Sequence, residues 1–133
     1  MKEIDNKILE VLKENSRKPF LKIAKKLNVS EGTIRNRVNK LVKEGFIKKF
    51  TIEFETEATA IVGIRTNPNV TTSSIIAEIK KFSVANIYEV AGRFTIIAEL
   101  KTRNLEEANS LIEKIRAIKG VLQTETFPVL KKN

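Results

Sequence analysis

The sequence predicts an α+β fold: an N-terminal three-helix helix-turn-helix domain, a linking β-strand and a C-terminal ferredoxin-like βαββαβ domain. Three observations carry that expectation. Apolar residues recur at helical spacing three times within residues 1–45. The period then switches to two between residues 46 and 56. Beyond residue 58, strand-like and helix-like stretches alternate in the order βαββαβ. The expected domains are therefore 1–45, a linker strand at 46–57, and 58–133.

The first helix is marked by Ile4, Ile8, Val11 and Leu12, with Asp5 near its start, where an anion suits the helix dipole. The second carries Phe20, Ile23, Ala24 and Leu27, with Pro19 close to its first position. The third carries Ile34, Val38, Leu41 and Val42. Ser30 is its expected N-cap and Gly45 its C-terminal stop. Only Asn28-Val29-Ser30 joins the second helix to the third, and so short a joint forces a sharp angle.

Residues 46–56 place Phe46, Phe50, Ile52 and Phe54 on one side of an extended segment. A lone strand needs a partner. The same strand of a second copy is the simplest one, which predicts a dimer. The segment ATAIVGIRT is then a strand, ended by Asn67-Pro68-Asn69. Thr71 or Thr72 caps a helix with Ile75, Ile76, Ile79 and Phe82 inward. VANIYEV and FTIIAEL are strands joined by a tight Ala91-Gly92-Arg93 connection. Asn104 and Glu107 open a last helix that is expected to bury Leu105, Ala108, Leu111, Ile112 and Ile115. VLQTETFPVL is the final strand, with Pro128 marking an edge or an end. Both helices would lie on one face of the sheet, so the other face needs a cover, most simply a second sheet.

Charge is distributed unevenly. Residues 1–50 hold 14 Lys or Arg against 6 Asp or Glu; residues 51–133 hold 11 against 10. Nearly the whole excess of +9 therefore sits on the helical end, as a nucleic-acid-binding domain would have it. A basic face that only solubilises is the plainer alternative. The third helix favours the first reading. Its apolar stripe would seat it on the other two helices, leaving an exposed side rich in groups that bond to DNA. Arg35 and Asn36 suit guanine and adenine edges. Thr33 lies in the same N-terminal half. Arg37, Lys40 and Lys22 are expected to contact bases or the backbone, and Lys43 suits a phosphate. Ser30, besides capping, stands where exposed backbone N–H groups could face a phosphate. Two such units on a symmetric dimer would meet half-sites about one DNA turn, ~10 bp, apart or a multiple of that.

Enzyme chemistry finds no foothold. Cysteine and histidine are absent, which removes thiolate sites and the usual general base. No phosphate-binding glycine loop or nucleophile–base pair is present. Glu106-Glu107 could imitate a carboxylate pair, but neighbours on a helix point about 100° apart. No catalytic residue, cofactor or metal is expected. No apolar run approaches a membrane span of about 18 residues, and no signal-peptide core opens the chain, so a cytoplasmic protein without membrane contact is expected. Abundant Lys, Glu and Ile, with no Cys, Trp or His, lean towards a thermophile.

The segments IDNKILEVLKENSR, IAKKLNVSEGTIRNRVNKLVKEGFI and GVLQTETFPVL resemble the Lrp/AsnC family, the feast/famine regulators of bacteria and archaea, in an archaeal-like form. The resemblance covers nearly the whole chain. It implies a transcription regulator with a C-terminal RAM domain that binds an effector and drives assembly to dimers and octamers. It implies double-stranded DNA as a partner, and small molecules, usually amino acids, sensed between dimers. It places the effector at the connection between the second and third RAM strands, here Glu89, Val90, Ala91, Gly92, Arg93, Phe94 and Thr95, with Thr124 and Thr126 on the last strand. The family often has Asp where Arg93 and Thr95 stand. Arg93 would attract a carboxylate and Glu89 an ammonium, so the pair suits a zwitterion; Arg93 and Glu89 could instead form a surface ion pair. Glutamine, glutamate or a lysine-type amino acid are the candidate effectors. The competing expectation is an architectural protein that wraps DNA with little sequence preference.

Overall fold

Caps and glycines set the ends of the N-terminal helices. In the computed structural model, which describes residues 1–55 and 58–133, these are α1 (Glu3–Glu14), α2 (Phe20–Leu27) and α3 (Glu31–Lys43). Asn28 ends α2 in the left-handed region (φ 57°), which its short polar side chain tolerates. The next N–H, that of Val29, closes back on the Ala24 carbonyl at 3.1 Å. The chain is thereby turned sharply into α3, as the three-residue joint predicts. Ser30 then caps α3, its Oγ accepting the Thr33 N–H at 3.1 Å. Gly45 (φ 82°) stops α3, and the Ile47 N–H returns to the Leu41 carbonyl at 3.1 Å.

The chain forms two units, Met1–Glu53 and Phe54–Asn133, each with its own core. In the first, Ile8, Val11, Leu12, Ile23, Ala24, Ile34 and Val38 pack together, and Ile4, Phe20, Leu27, Val29 and Ile47 close over them. Burying one such aliphatic side chain is worth about 1.5–3 kcal/mol. Val42 departs from expectation: it is 46% exposed. On a helical wheel it lies about 80° from Ile34, at the edge of the stripe rather than within it.

Residues 46–55 form no strand ladder within the single chain. The expected linking strand is therefore not formed there: a ladder needs a partner strand, and none of the four sheet strands pairs with this segment. Phe46, Phe50, Ile52 and Phe54 are all exposed, whereas Ile47, from the set read as mostly polar, packs on the helical core. The last two residues of the expected linker, Thr56 and Glu57, lie outside the described residues.

The second unit is β1 (Ala58–Thr66), α4 (Thr72–Ile79), β2 (Asn86–Glu89), β3 (Ile96–Thr102), α5 (Leu105–Arg116) and β4 (Val121–Pro128). The sheet order is β2-β3-β1-β4, antiparallel throughout, which is the ferredoxin-like arrangement. Ala60, Val62 and Ile64 of β1 with Ile96, Ala98 and Leu100 of β3 form one side of the sheet and meet Ile75, Ile79, Leu111, Ile112 and Ile115. Thr71 caps α4 through the Ser74 N–H, and Asn104 caps α5 through the Glu107 N–H at 2.8 Å. The Glu107 carboxylate bonds Arg103 at 3.1 Å instead of closing a capping box. Leu105, expected inside, is 54% exposed because it is the first residue of α5, ahead of the turn that reaches the sheet. Phe82 lies beyond the end of α4 yet still packs on the core.

Candidate DNA interface and effector site

Helix α3 is amphipathic in the way groove insertion requires. Ile34, Val38 and Leu41 are at most 3% exposed, while Arg35, Asn36, Lys40 and Lys43 are exposed, as is Lys22 on the neighbouring α2. The expected contact residues are thus on the surface, with three qualifications that the geometry supplies. Ser30 and Thr33 share their hydroxyls at 2.8 Å while Ser30 also caps the helix, so both serve the turn. Arg35 is held by Glu31 one turn earlier, Nη2 to Oε1 2.6 Å. Lys40 faces Glu44 more loosely, at 3.8 Å.

Arg37 is placed differently from these residues. Sequence reasoning assigns it to a base or the backbone. In the structure its guanidinium donates from Nε to Asp5 Oδ1 at 2.7 Å and from Nη2 to Asp5 Oδ2 at 2.5 Å. Asp5 is 1% exposed and also accepts the Lys2 N–H at 3.0 Å. The Arg37 bond holds the Asp5 carboxyl down at about 2, against desolvation that pushes it up; the Lys2 N–H adds to the lowering. Asp5 in turn raises the Arg37 pKa. Asp5, read as a helix-dipole residue, is therefore the buried half of a tertiary ion pair. Nothing local signals a partner 32 residues away.

In the second unit, the connection after β2 is built by three tethers. The Val90 N–H bonds the Thr95 carbonyl, and the Thr95 N–H bonds the Ile64 carbonyl, both at 3.0 Å. The Thr95 hydroxyl meets that of Thr66 at 2.8 Å. Gly92 has φ 134°, a conformation that a side chain resists, although the space beside its Cα is open. Arg93 pairs with Glu125 of β4 (Nη2 to Oε2 3.3 Å) and lies 5.5 Å from the Phe94 ring centroid. The alternative of a surface ion pair between Arg93 and Glu89 is thus replaced by one with Glu125, and Glu89 is exposed at the end of β2.

Register explains why Glu125 and not its neighbours meets the connection. Thr124 and Thr126 sit opposite Ile64 and Val62, so they share the helix-covered side of the sheet and are half-buried there. Glu125 sits opposite Gly63, on the other side, in a row continued by Ile97 and Tyr88. The two threonines therefore do not converge with Arg93. Sequence reasoning misses Glu125 and Gly63. Strand alternation separates Glu125 from Thr124 and Thr126, and a lone glycine within a strand signals close approach.

Among the described residues no group of acidic side chains is placed to hold a metal, and no helix is long and apolar enough to cross a membrane.

Residues 1–48 match the family described as winged helix-turn-helix DNA-binding, and residues 59–132 match the Lrp/AsnC ligand binding domain. The chain is 42% identical to the HTH-type transcriptional regulator LysM of Sulfurisphaera tokodaii over 97% of its length and 94% of that protein. It is equally similar to LysM of Saccharolobus solfataricus, covering 97% of this chain and 93% of that one. In three dimensions it resembles E. coli AsnC, with TM-score 0.80 and 27% identity over 99% of this chain and 93% of the other. Its two halves match the two parts of a ligand-responsive DNA-binding protein, and the chain belongs to the Lrp/AsnC family of transcriptional regulators.

Proposed function

We propose that the protein recognises specific duplex sequences as a dimer and that an amino acid modulates its assembly or its hold on DNA. Residues 1–45 bind DNA, 46–57 join two copies, and 58–133 bind effector and extend the assembly towards an octamer in the cytoplasm. Asn36 and Arg35 read base edges, while Lys22, Lys40 and Lys43 meet phosphates. Thr33 and Ser30 hold the turn that presents them. The observation that carries this reading is α3 itself: one side wholly buried, the other exposing Arg35, Asn36, Lys40 and Lys43 within a half that holds nearly all the excess positive charge.

For the effector, the Arg93–Glu125 pair offers opposite charges 3.3 Å apart at an exposed connection. An α-amino acid could replace that bond with two of its own, carboxylate to Arg93 and ammonium to Glu125. Glutamine, glutamate and a lysine-type side chain remain the candidates for the rest of the ligand.

Two measurements test the reading. The ratio of specific to random-duplex affinity at fixed salt should reach roughly 10³ or more. A ratio near one identifies an architectural DNA-wrapping protein instead. A melting-temperature screen against the twenty amino acids should give a stabilising ligand. Failure of every one removes the amino-acid effector.

A further inference from the structure

Arg37 keeps two bonds that a groove-reading residue would have to surrender. Both oxygens of Asp5 are engaged, at 2.7 and 2.5 Å, with the Asp5 side chain 1% exposed and that of Arg37 17%. A guanidinium gripped in plane by a carboxylate has a fixed orientation, whereas a lysine ammonium would leave rotation free. The grip joins the first turn of α1 to the middle of α3. On the wheel of α3, Arg37 stands about 60° from Ile34, at the rim of the buried stripe, and Asn36 about 100° further round. The apolar contacts of Ile34 and Val38 are non-directional and set the roll of α3 less sharply than a two-bond grip does. A roll of about 15° would move a group about 6 Å from the helix axis by roughly 1.5 Å. That exceeds what a hydrogen bond tolerates.

We propose that Arg37 is a positioning residue for DNA recognition: through Asp5 it fixes the roll of α3 and hence where Arg35 and Asn36 stand against base edges. This rests on the reading of α3 as the base-contacting helix. It accounts for a cation on the recognition helix being spent inside the protein.

The test uses the full-length protein and a duplex that the wild type selects from a randomised pool, compared with the unselected pool over a range of salt. The variants are Arg37→Met, Arg37→Lys and Asp5→Asn, each checked for native circular dichroism well below its melting temperature. All three should lower the selected-to-random affinity ratio by roughly tenfold, with the salt dependence of binding unchanged. The lysine variant separates positioning from charge, since it keeps the charge but not the two-bond grip. If Arg37→Met instead lowers the salt slope by about 1 at unchanged ratio, Arg37 touches phosphate and the proposal fails. It fails equally if Asp5→Asn tightens binding, because a released arginine would then be reaching DNA. Should Arg37→Met not fold, the Lys and Asn variants decide the outcome. A wild type with no sequence preference overturns the base-reading assignment, and this inference with it. A preference that survives all three changes overturns this inference alone.

Discussion

Phe94 lies flat over Gly63, so close that a Cβ added to the glycine would stand 2.6 Å from the ring. The glycine in β1 is therefore required by a neighbour from the β2–β3 connection and not by its own backbone, and it lets Phe94 and Arg93 settle on the sheet beside Glu125. Gly63→Ala should displace the ring and cost about 1–3 kcal/mol in urea unfolding. Any effector response should weaken with it. An alanine variant of unchanged stability would show that the ring has other places to go.

The neighbouring glycine acts differently. Nothing crowds Gly92, but its φ of 134° is outside what L-residues adopt readily. Gly92→Val should rebuild the connection at a cost of about 1–3 kcal/mol and abolish the effector-induced shift in melting temperature. The circular dichroism of the helical unit should be untouched. A retained shift would move the effector elsewhere.

Asp5 makes the helical unit acid-sensitive in a defined window. Its carboxyl falls from 3.8 to about 2 on folding, so its contribution is complete above about pH 4 and disappears as pH falls through 2. Arg37 stays charged throughout. Wild type should therefore be more stable than Asp5→Asn at neutral pH, and the two urea midpoints should converge between pH 4 and 2. Parallel curves over that range would mean that Asp5 is not ionised in the pair.

Arg35 is held by Glu31 in a 2.6 Å ion pair, with both side chains about half exposed, and a DNA contact by Arg35 would have to break it. Exposed pairs of this kind are worth about 0.2–1 kcal/mol. Glu31→Gln should thus raise affinity for random duplex about two- to fivefold, helped by removal of an anion near the phosphates. Arg35→Ala should cost about 1–3 kcal/mol at a selected site and relax preference at one base pair. Equal losses on every sequence would make Arg35 a backbone contact.

What the sequence discloses here depends on the range of the interaction. The α2–α3 joint, the Ser30, Thr71 and Asn104 caps and the span of β1 are written within a few residues, and they are legible. The ferredoxin-like order follows because the elements alternate in a pattern that few topologies satisfy. Val42 and Leu105 are misplaced because a stripe has edges that periodicity does not draw. The pairing of Arg37 with Asp5 is not legible because a cation on the rim of a stripe looks the same whether it turns outward or inward. Its partner belongs to another helix. Glu125 is hidden between two threonines that resemble ligand positions more closely.

The outer strands of the sheet are poorly suited to growth. β2 is four residues long, and β4 ends at Pro128, which has no N–H to offer a further strand. Lateral addition of another chain, the route by which sheets run on into fibres, is thereby discouraged at both rims. The exposed Tyr88 of β2 and Phe127 of β4 project instead from the sheet face opposite the helices. Any contact made on that face would join copies without lengthening the sheet.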